Sequence, residues 1–397
     1  LDLSRVLAGP LCTMMLGDLG ASVLKVERPG SGDDTRGWGP PFDDRGESAY
    51  FLSINRNKLG MVADFRDPAD RAVLAALIAE ADIVVENFLP GALHRVGLNA
   101  DELLASNRRL VWCTITGFGA ESDRPGYDFV IQAESGWMAI TGDPSGNPMK
   151  SGVAVVDLLA GRDAAIAILA ALAGRERSGA SRHVVISLAD SARGALVNVA
   201  QNVLVSGREA GRWGNAHANL VPYQMFSAGD RELVIAVGSD AQWVACCDAL
   251  GLSPMGADPS LRRNAGRVEQ RERVSSEFQR VLRAKPAADW ITVLRRAGVP
   301  CGLVKSVSES IDDAAGASPL SGMPPSAGGA WRLPPPRLDE HGALVRSRGW
   351  AAFDHLPVLL CSRHRSRAVR AARRRRKVVL PKVMGGYMGA IAPFVNI

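Results

Sequence analysis

The chain opens on a strand, a helix and a second strand joined by short turns, an order that leaves few architectures open. Residues 1 to 7 read as a strand already under way, as though a few residues are missing before Leu1. Ala8-Gly9-Pro10 turns the chain into a helix with Pro10 expected at its first position, where the missing N–H costs nothing. Gly20 ends the helix, and residues 22 to 26 form a strand closing on Glu27 and Arg28. A helix over 68–80, strands over 83–86, 110–115 and 183–188, and a helical stretch over 192–205 continue the alternation. The expectation is an α/β fold with a doubly wound, mostly parallel, Rossmann-like sheet. A dinucleotide-binding enzyme would begin in the same way. Its G-x-G-x-x-G fingerprint is absent, however, because the first turn offers one glycine where Pro10 and Leu11 would keep a pyrophosphate off the backbone.

The stretch KSGVAVVDLLAGRDAAIAILAAL, residues 150–172, joins a short apolar run over 153–156 to a long alanine- and leucine-rich helical segment, with Asp157 at the junction. The run reads as a strand delivering a carboxylate to a helix start. Two roles are open to that carboxylate: a helix N-cap, stabilising by about 1 kcal/mol, or a chemical group at a sheet edge. Asn87 and Phe88 follow the strand over 83–86, and Thr116-Gly117-Phe118-Gly119 follows the next, so both lie where ligands bind in open α/β sheets. Phe88 suits stacking on a base or simple core packing, and Arg95 suits a phosphate or a solvated surface.

No run of about 18 apolar residues occurs, since Arg162 and Asp163 interrupt the best candidate, so no membrane span is expected. No signal peptide is visible at the start. Six scattered cysteines without C-x-x-C, and no His, Cys, Asp and Glu at ligand spacing, point to reduced thiols in a cytoplasmic compartment and to no metal site. The net charge of +6 is misleading: residues 363–382 alone contribute +10, which leaves −4 on the rest. That basic stretch could engage nucleic acid, but without aromatic interleaving or a nucleic-acid fold it reads as a solvated terminus, and nucleic acid is not expected as a partner.

The pattern shifts after residue 220. A strand over 232–238 and helices near 241–250, 267–284 and 287–297 indicate a smaller α+β domain. The expected organisation is a large coenzyme-binding α/β domain at 1–220, the small domain at 221–305, a shortened return segment at 306–350 and an atypical basic tail at 351–397.

Several motifs, taken together, resemble the class III coenzyme A transferases, the family of formyl-CoA transferase and, as a relative, α-methylacyl-CoA racemase. They are Arg5-Val6-Leu7-Ala8-Gly9-Pro10, Lys25-Val26-Glu27-Arg28-Pro29-Gly30-Ser31-Gly32-Asp33, Val85-Glu86-Asn87-Phe88 with Pro90-Gly91-Ala92-Leu93 and Arg95, Gly126-Tyr127-Asp128, and residues 152–157. The likeness runs from residue 1 to about 305. Arg212-Trp213-Gly214-Asn215-Ala216-His217 with Val221-Pro222-Tyr223-Gln224 is similar to the succinate–hydroxymethylglutarate branch. The resemblance implies that Asp157 is the nucleophile and that Arg5, Ala8, Arg28, Arg66, Asn87, Phe88 and Arg95 line the coenzyme A site. Tyr127 and Asp128 would face the thioester. It implies transfer of CoA from an acyl-CoA, a short dicarboxylyl-CoA such as succinyl-CoA, to a free carboxylic acid through an aspartyl anhydride and an aspartyl-CoA thioester. No permanently bound cofactor is implied, only the coenzyme A thioester as substrate. An interlocked homodimer is implied if the return segment is intact. Arg212 and His217 are candidate contacts for a substrate carboxylate.

Two other readings remain. A racemase of the same superfamily would need a His where Tyr127 stands, and a phenol of pKa about 10 is a poor base at neutral pH. A catalytically impaired CoA-binding protein could use the basic tail as an interaction segment.

Overall fold

The structure, a computed structural model, describes residues 1–355. Its centre is a six-stranded parallel sheet built on the very start of the chain. The segment 1–4 lies between β1 (Val23–Glu27) and β3 (Ile83–Glu86), with Asp2 bridging Lys25 on one side and Val85 on the other. Main-chain bonds fix it there: Asp2 N–H donates to Leu24 at 2.8 Å and Leu3 N–H to Val85 at 2.9 Å. β2 (Lys58–Val62) pairs with β1, while β4 (Val111–Thr116) and β5 (Arg182–Ser187) extend the other half beyond β3. The order across the sheet is therefore β2, β1, segment 1–4, β3, β4, β5.

Helices cover both faces, as a sheet buried on both sides requires. On one face α1 (Ala8–Asp18), α7 (Val155–Ser178) and α8 (Leu188–Gly194) pack with β4 around Cys12, Val156, Ala160, Ile168 and Leu188. On the other, α3 (Pro68–Glu80) and α4 (Ala100–Ser106) pack with β1 and β2 around Leu59, Leu74, Leu77 and Trp112. Local signals set the helix ends. Asp67 accepts from Ala69 N–H at 2.7 Å ahead of Pro68, and Ser48 accepts from Phe51 N–H to start α2 (Ala49–Ile54). Gly179, at φ +63°, closes α7. Three short helices complete this half: α5 (Asp128–Glu134), α6 (Trp137–Ile140) and α9 (Val197–Ser206).

Three expectations are corrected. The run over 153–156 is no strand: Val155 and Val156 already belong to the first turn of α7. Four consecutive apolar residues carry no period that separates strand from helix. Pro10 is the third residue of α1, not the first. The helical stretch expected over 192–205 is two helices, α8 and α9, broken at Val197, whose φ is +42°.

Residues 221–303 gather their own core. β6 (Tyr223–Ser227), β7 (Glu232–Ala236) and β8 (Cys301–Leu303) form an antiparallel sheet. α10 (Asp240–Ala249), α11 (Ser253–Gly256), α12 (Asn264–Glu269), α13 (Arg271–Leu282) and α14 (Ala287–Arg296) surround it, with Trp243 stacked on Phe278 at 5.7 Å. After α15 (Val307–Asp312) the chain returns along the end of α1. Arg56 donates to the carbonyls of Ser321 and Met323 at 2.7 and 2.6 Å, and Asn57 donates to that of Ala330 at 2.9 Å. α16 (Gly342–Arg348) and the turn over 349–355 then pack on α3, where Trp350 donates to Leu77 O at 2.9 Å. Ala352 and Phe353 join the core, so packed residues continue past the boundary expected at 350. The basic stretch over 363–382 lies outside the described residues.

Candidate active site

Segment 1–4 is the point where the connections diverge, toward β1 and β2 on one side and β3 to β5 on the other. The crevice outside its carboxyl end is where an open α/β sheet binds ligands. Two adjoining cavities occupy it. One, of about 180 Å³, is lined by Val6, Leu7 and Ala8 after the central segment, Thr116 after β4, Tyr127 before α5, and Asp157. The other, of about 390 Å³, is lined by Lys25, Arg28, Asp33, Phe65 and Arg66. Arg5 and Phe88 form the wall between the two.

Asp157 is the third residue of α7, and the cap position is Ala154, which makes no side-chain cap bond. The capping role falls instead to Asp128, whose Oδ1 accepts from Val156 N–H at 2.8 Å and whose Oδ2 accepts from Gln132 at 2.6 Å. Gln132 in turn accepts from Ser151 N–H at 2.8 Å, tying down the loop that leads into α7. Among the described residues nothing donates to Asp157 and no cation pairs with it. Burial, and then the like charge of Asp128, push its pKa up to about 7. Two glycine contacts set the distance between the walls. A Cβ on Gly161 would lie 2.6 Å from Ala8 O, and one on Gly126 would lie 2.5 Å from Gly117 Cα. Only bare glycine lets α1 approach α7 this closely, and likewise the loops after β4 and before α5.

The expected site residues divide. Arg5, Ala8, Asn87, Phe88 and Tyr127 line the cavity of Asp157, with Tyr127 59% exposed on its rim. Arg28 and Arg66 line the neighbouring one, Arg28 paired with Asp34 and Arg66 with Asp64. Asn87 is already engaged: its amide accepts from Arg5 N–H at 2.9 Å and donates to Arg5 O at 2.8 Å, so it shapes the Arg5 turn. Asp128 faces inward. Arg95 is exposed beside Gly91 and lines neither cavity. Arg212 is bound to the carbonyls of Asp143 and Gly146 at 3.1 and 2.8 Å and is not poised for a substrate carboxylate. His217 packs at a tilt against Tyr223, ring centroids 5.2 Å apart. Among the described residues no group of three potential metal ligands occurs.

Two features were not anticipated. Tyr50, edge-on to Trp38 at 5.1 Å, has its phenol pushed up to about 12 by burial and by the charges of Asp157 and Asp128. No motif marks it, since it reaches the carboxylates only through the fold. Beneath the crevice run two fully buried ion pairs, Asp2–Lys58 at 2.9 Å and Lys25–Asp33 at 2.8 Å. Burial alone would lower both lysines; Asp2 and Asp33 together hold Lys25 up, whereas Lys58 falls to about 8.

The model of CoA-transferase family III matches residues 1–318. The chain is 41% identical over 317 residues to the succinyl-CoA:glutarate CoA-transferase of Mus musculus, covering 79% of this chain and 72% of that protein. It is 35% identical over 364 residues to the acetyl-CoA:oxalate CoA-transferase of Acetobacter aceti, covering 87% and 93%. Among solved structures, a CAIB/BAIF family protein from Brucella suis superposes with a TM-score of 0.77 at 38% identity, covering 87% of this chain and 96% of that one.

Proposed function

The chain belongs to CoA-transferase family III, and from that premise we propose that it moves coenzyme A between short carboxylic acids, succinyl-CoA being the favoured donor, with Asp157 as the covalent carrier. The observation that carries this is the state of Asp157: half-buried at the sheet's switch point, without hydrogen-bond or ion-pair partners among the described residues, and relieved of helix capping by Asp128. A carboxylate kept in that state is available for chemistry. In the reaction, an Asp157 oxygen attacks the thioester carbonyl, the C–S bond breaks, and CoA thiolate leaves a mixed anhydride. The thiolate attacks the aspartyl carbonyl, releasing the donor acid and leaving an aspartyl-CoA thioester. The acceptor carboxylate attacks that thioester to form a second anhydride and free the thiolate again. Attack of the thiolate on the acyl carbonyl then yields product and regenerates Asp157. No proton or electron is gained or lost overall, so the site must chiefly exclude water and stabilise oxyanions. The first turns of α1 and α7 bring partial positive charge to the cavity for that purpose.

Relatives named for glutarate, oxalate and mesaconate transfer support short dicarboxylic acids as the partners in exchange. Arg5 and Arg28, each with about half its side chain exposed, and Arg66, more exposed still, suit the phosphates of coenzyme A. Transfer is favoured over racemisation because, among the described residues, no histidine lines the cavity of Asp157. A homodimer is part of this reading. Ile166 on α7 and Val197, Leu204 and Val205 on α9 are 66 to 78% exposed, apolar surface that a second copy would cover. A reducing, cytoplasmic compartment accords with the cysteines among the described residues, all of them free. No helix among the described residues is long and apolar enough to cross a membrane.

The test is Asp157→Asn assayed with succinyl-CoA against a panel of free acids. Exchange is expected to fall by at least about a thousandfold, and peptide mass spectrometry of the parent incubated with acyl-CoA should find CoA esterified to Asp157. Exchange by the variant at the parent's rate would overturn the reading.

A further inference from the structure

The wall of the Asp157 cavity formed by residues 6–8 is held in a conformation that its sequence does not favour. Val6 has φ +69°, in the left-handed region where an L-residue's Cβ crowds the backbone, and a β-branched residue suffers most. Such a turn persists only when its surroundings hold it. Lys25 donates to Ser4 O at 2.9 Å, and Asn87 grips both backbone groups of Arg5. Val6 N–H itself donates to Asp33 Oδ1 at 3.2 Å. The same oxygen accepts from Thr35 N–H at 3.0 Å and Thr35 Oγ1 at 2.8 Å, while Asp33 Oδ2 lies 2.8 Å from Lys25 in a pair with no solvent exposure. Neutralising Lys25 would need only one of the two oxygens; the other is directed at the strained turn. Downstream, Gly9 is pressed so closely on Ser4 that a Cβ there would lie 2.2 Å from its Oγ. Relaxing Val6 to ordinary backbone would therefore swing Leu7 and Ala8 off the cavity.

Resting on the reading of Asp157 as nucleophile, we propose that Asp33 is a positioning residue for CoA transfer: anchored by Lys25, it holds Val6 in the left-handed turn that sets Leu7 and Ala8 against the cavity of Asp157. Asp33 acts through Val6 and touches no reacting atom.

The experiment is a rescue. Asp33→Ala is expected to lower kcat for transfer by about tenfold or more, with KM for acyl-CoA and for the acceptor acid within about threefold, since the turn costs an L-residue about that ratio in population. Adding Val6→Gly to the same chain should recover most of the lost kcat, because glycine takes φ +69° without being held. Asp33→Asn keeps an oxygen for Val6 N–H and should retain more activity than Asp33→Ala even where it melts at a lower temperature. Should Asp33→Ala not fold, Asp33→Asn with and without Val6→Gly makes the same comparison. A double variant as slow as its Asp33 parent, or activities that merely follow melting temperatures, would show Asp33 to be only the core partner of Lys25. Each protein is also assayed for CoA on Asp157: its absence from the parent overturns the nucleophile reading, whereas its presence without rescue overturns the positioning role alone.

Discussion

At the scale of single residues, the site works by freeing one carboxylate and occupying another. Asp128 caps α7 from outside the helix, so Asp157, three residues in, is left facing the cavity with its pKa pushed up to about 7 by burial and by Asp128. On the proposed mechanism Asp157 must be ionised to attack, so kcat/KM for the acyl donor is expected to rise with pH through an apparent pKa near 7 and to level above it. Asp128→Asn keeps an oxygen for Val156 N–H but removes the like charge. It should shift that limb to lower pH by about half a unit to one unit, with binding of CoA little changed. A limb that stays fixed in pH–rate profiles of the variant would count against charge coupling between the two.

Among elements, close helix crossing places the chemistry. α1 and α7 meet where Gly161 faces the carbonyl of Ala8, and the two helix starts converge on the cavity because nothing larger than hydrogen stands between them. Gly161→Ala improves intrinsic helix propensity by about 1 kcal/mol, yet it should lower stability in urea melts by about 1–3 kcal/mol and reduce kcat, since overpacking outweighs propensity there. Much of this layout was legible from residues. Apolar runs between turn signals gave the parallel strands, and the position of Asn87 and Phe88 after such a run put them at the crevice, whereas Tyr127 came from the family resemblance alone. The junction before Asp157 was not legible as helix, because Val153-Ala154-Val155-Val156 has no distinguishing period. Nor was the engagement of Asn87, or the approach of Tyr50, since both depend on contacts between segments far apart in sequence. Lys25 and Lys58, charges inside strands, reveal their partners only once the sheet is assembled.

For the whole molecule, the return of the chain from residues 317 to 355 matters as much as the sheet. It is fastened by Arg56, Asn57 and Trp350, which places the folded body's edge beyond residue 350. Ile166 on α7 and Val197, Leu204 and Val205 on α9 are among the large apolar side chains left exposed on the described residues. Light scattering is expected to find a dimer, and Leu204→Glu combined with Val205→Asp should shift it to monomer. A parent that is monomeric at micromolar concentration would remove the dimer from the proposed function. Lastly, the two lysines sealed under the crevice make a built-in clock. An amine-acylating reagent should modify Lys150, Lys285 and Lys305 within minutes, while Lys25 and Lys58, with no solvent exposure, react only as fast as the sheet's centre opens. Their lag, read by mass spectrometry with and without added acyl-CoA, would time the breathing of the sheet beneath the crevice.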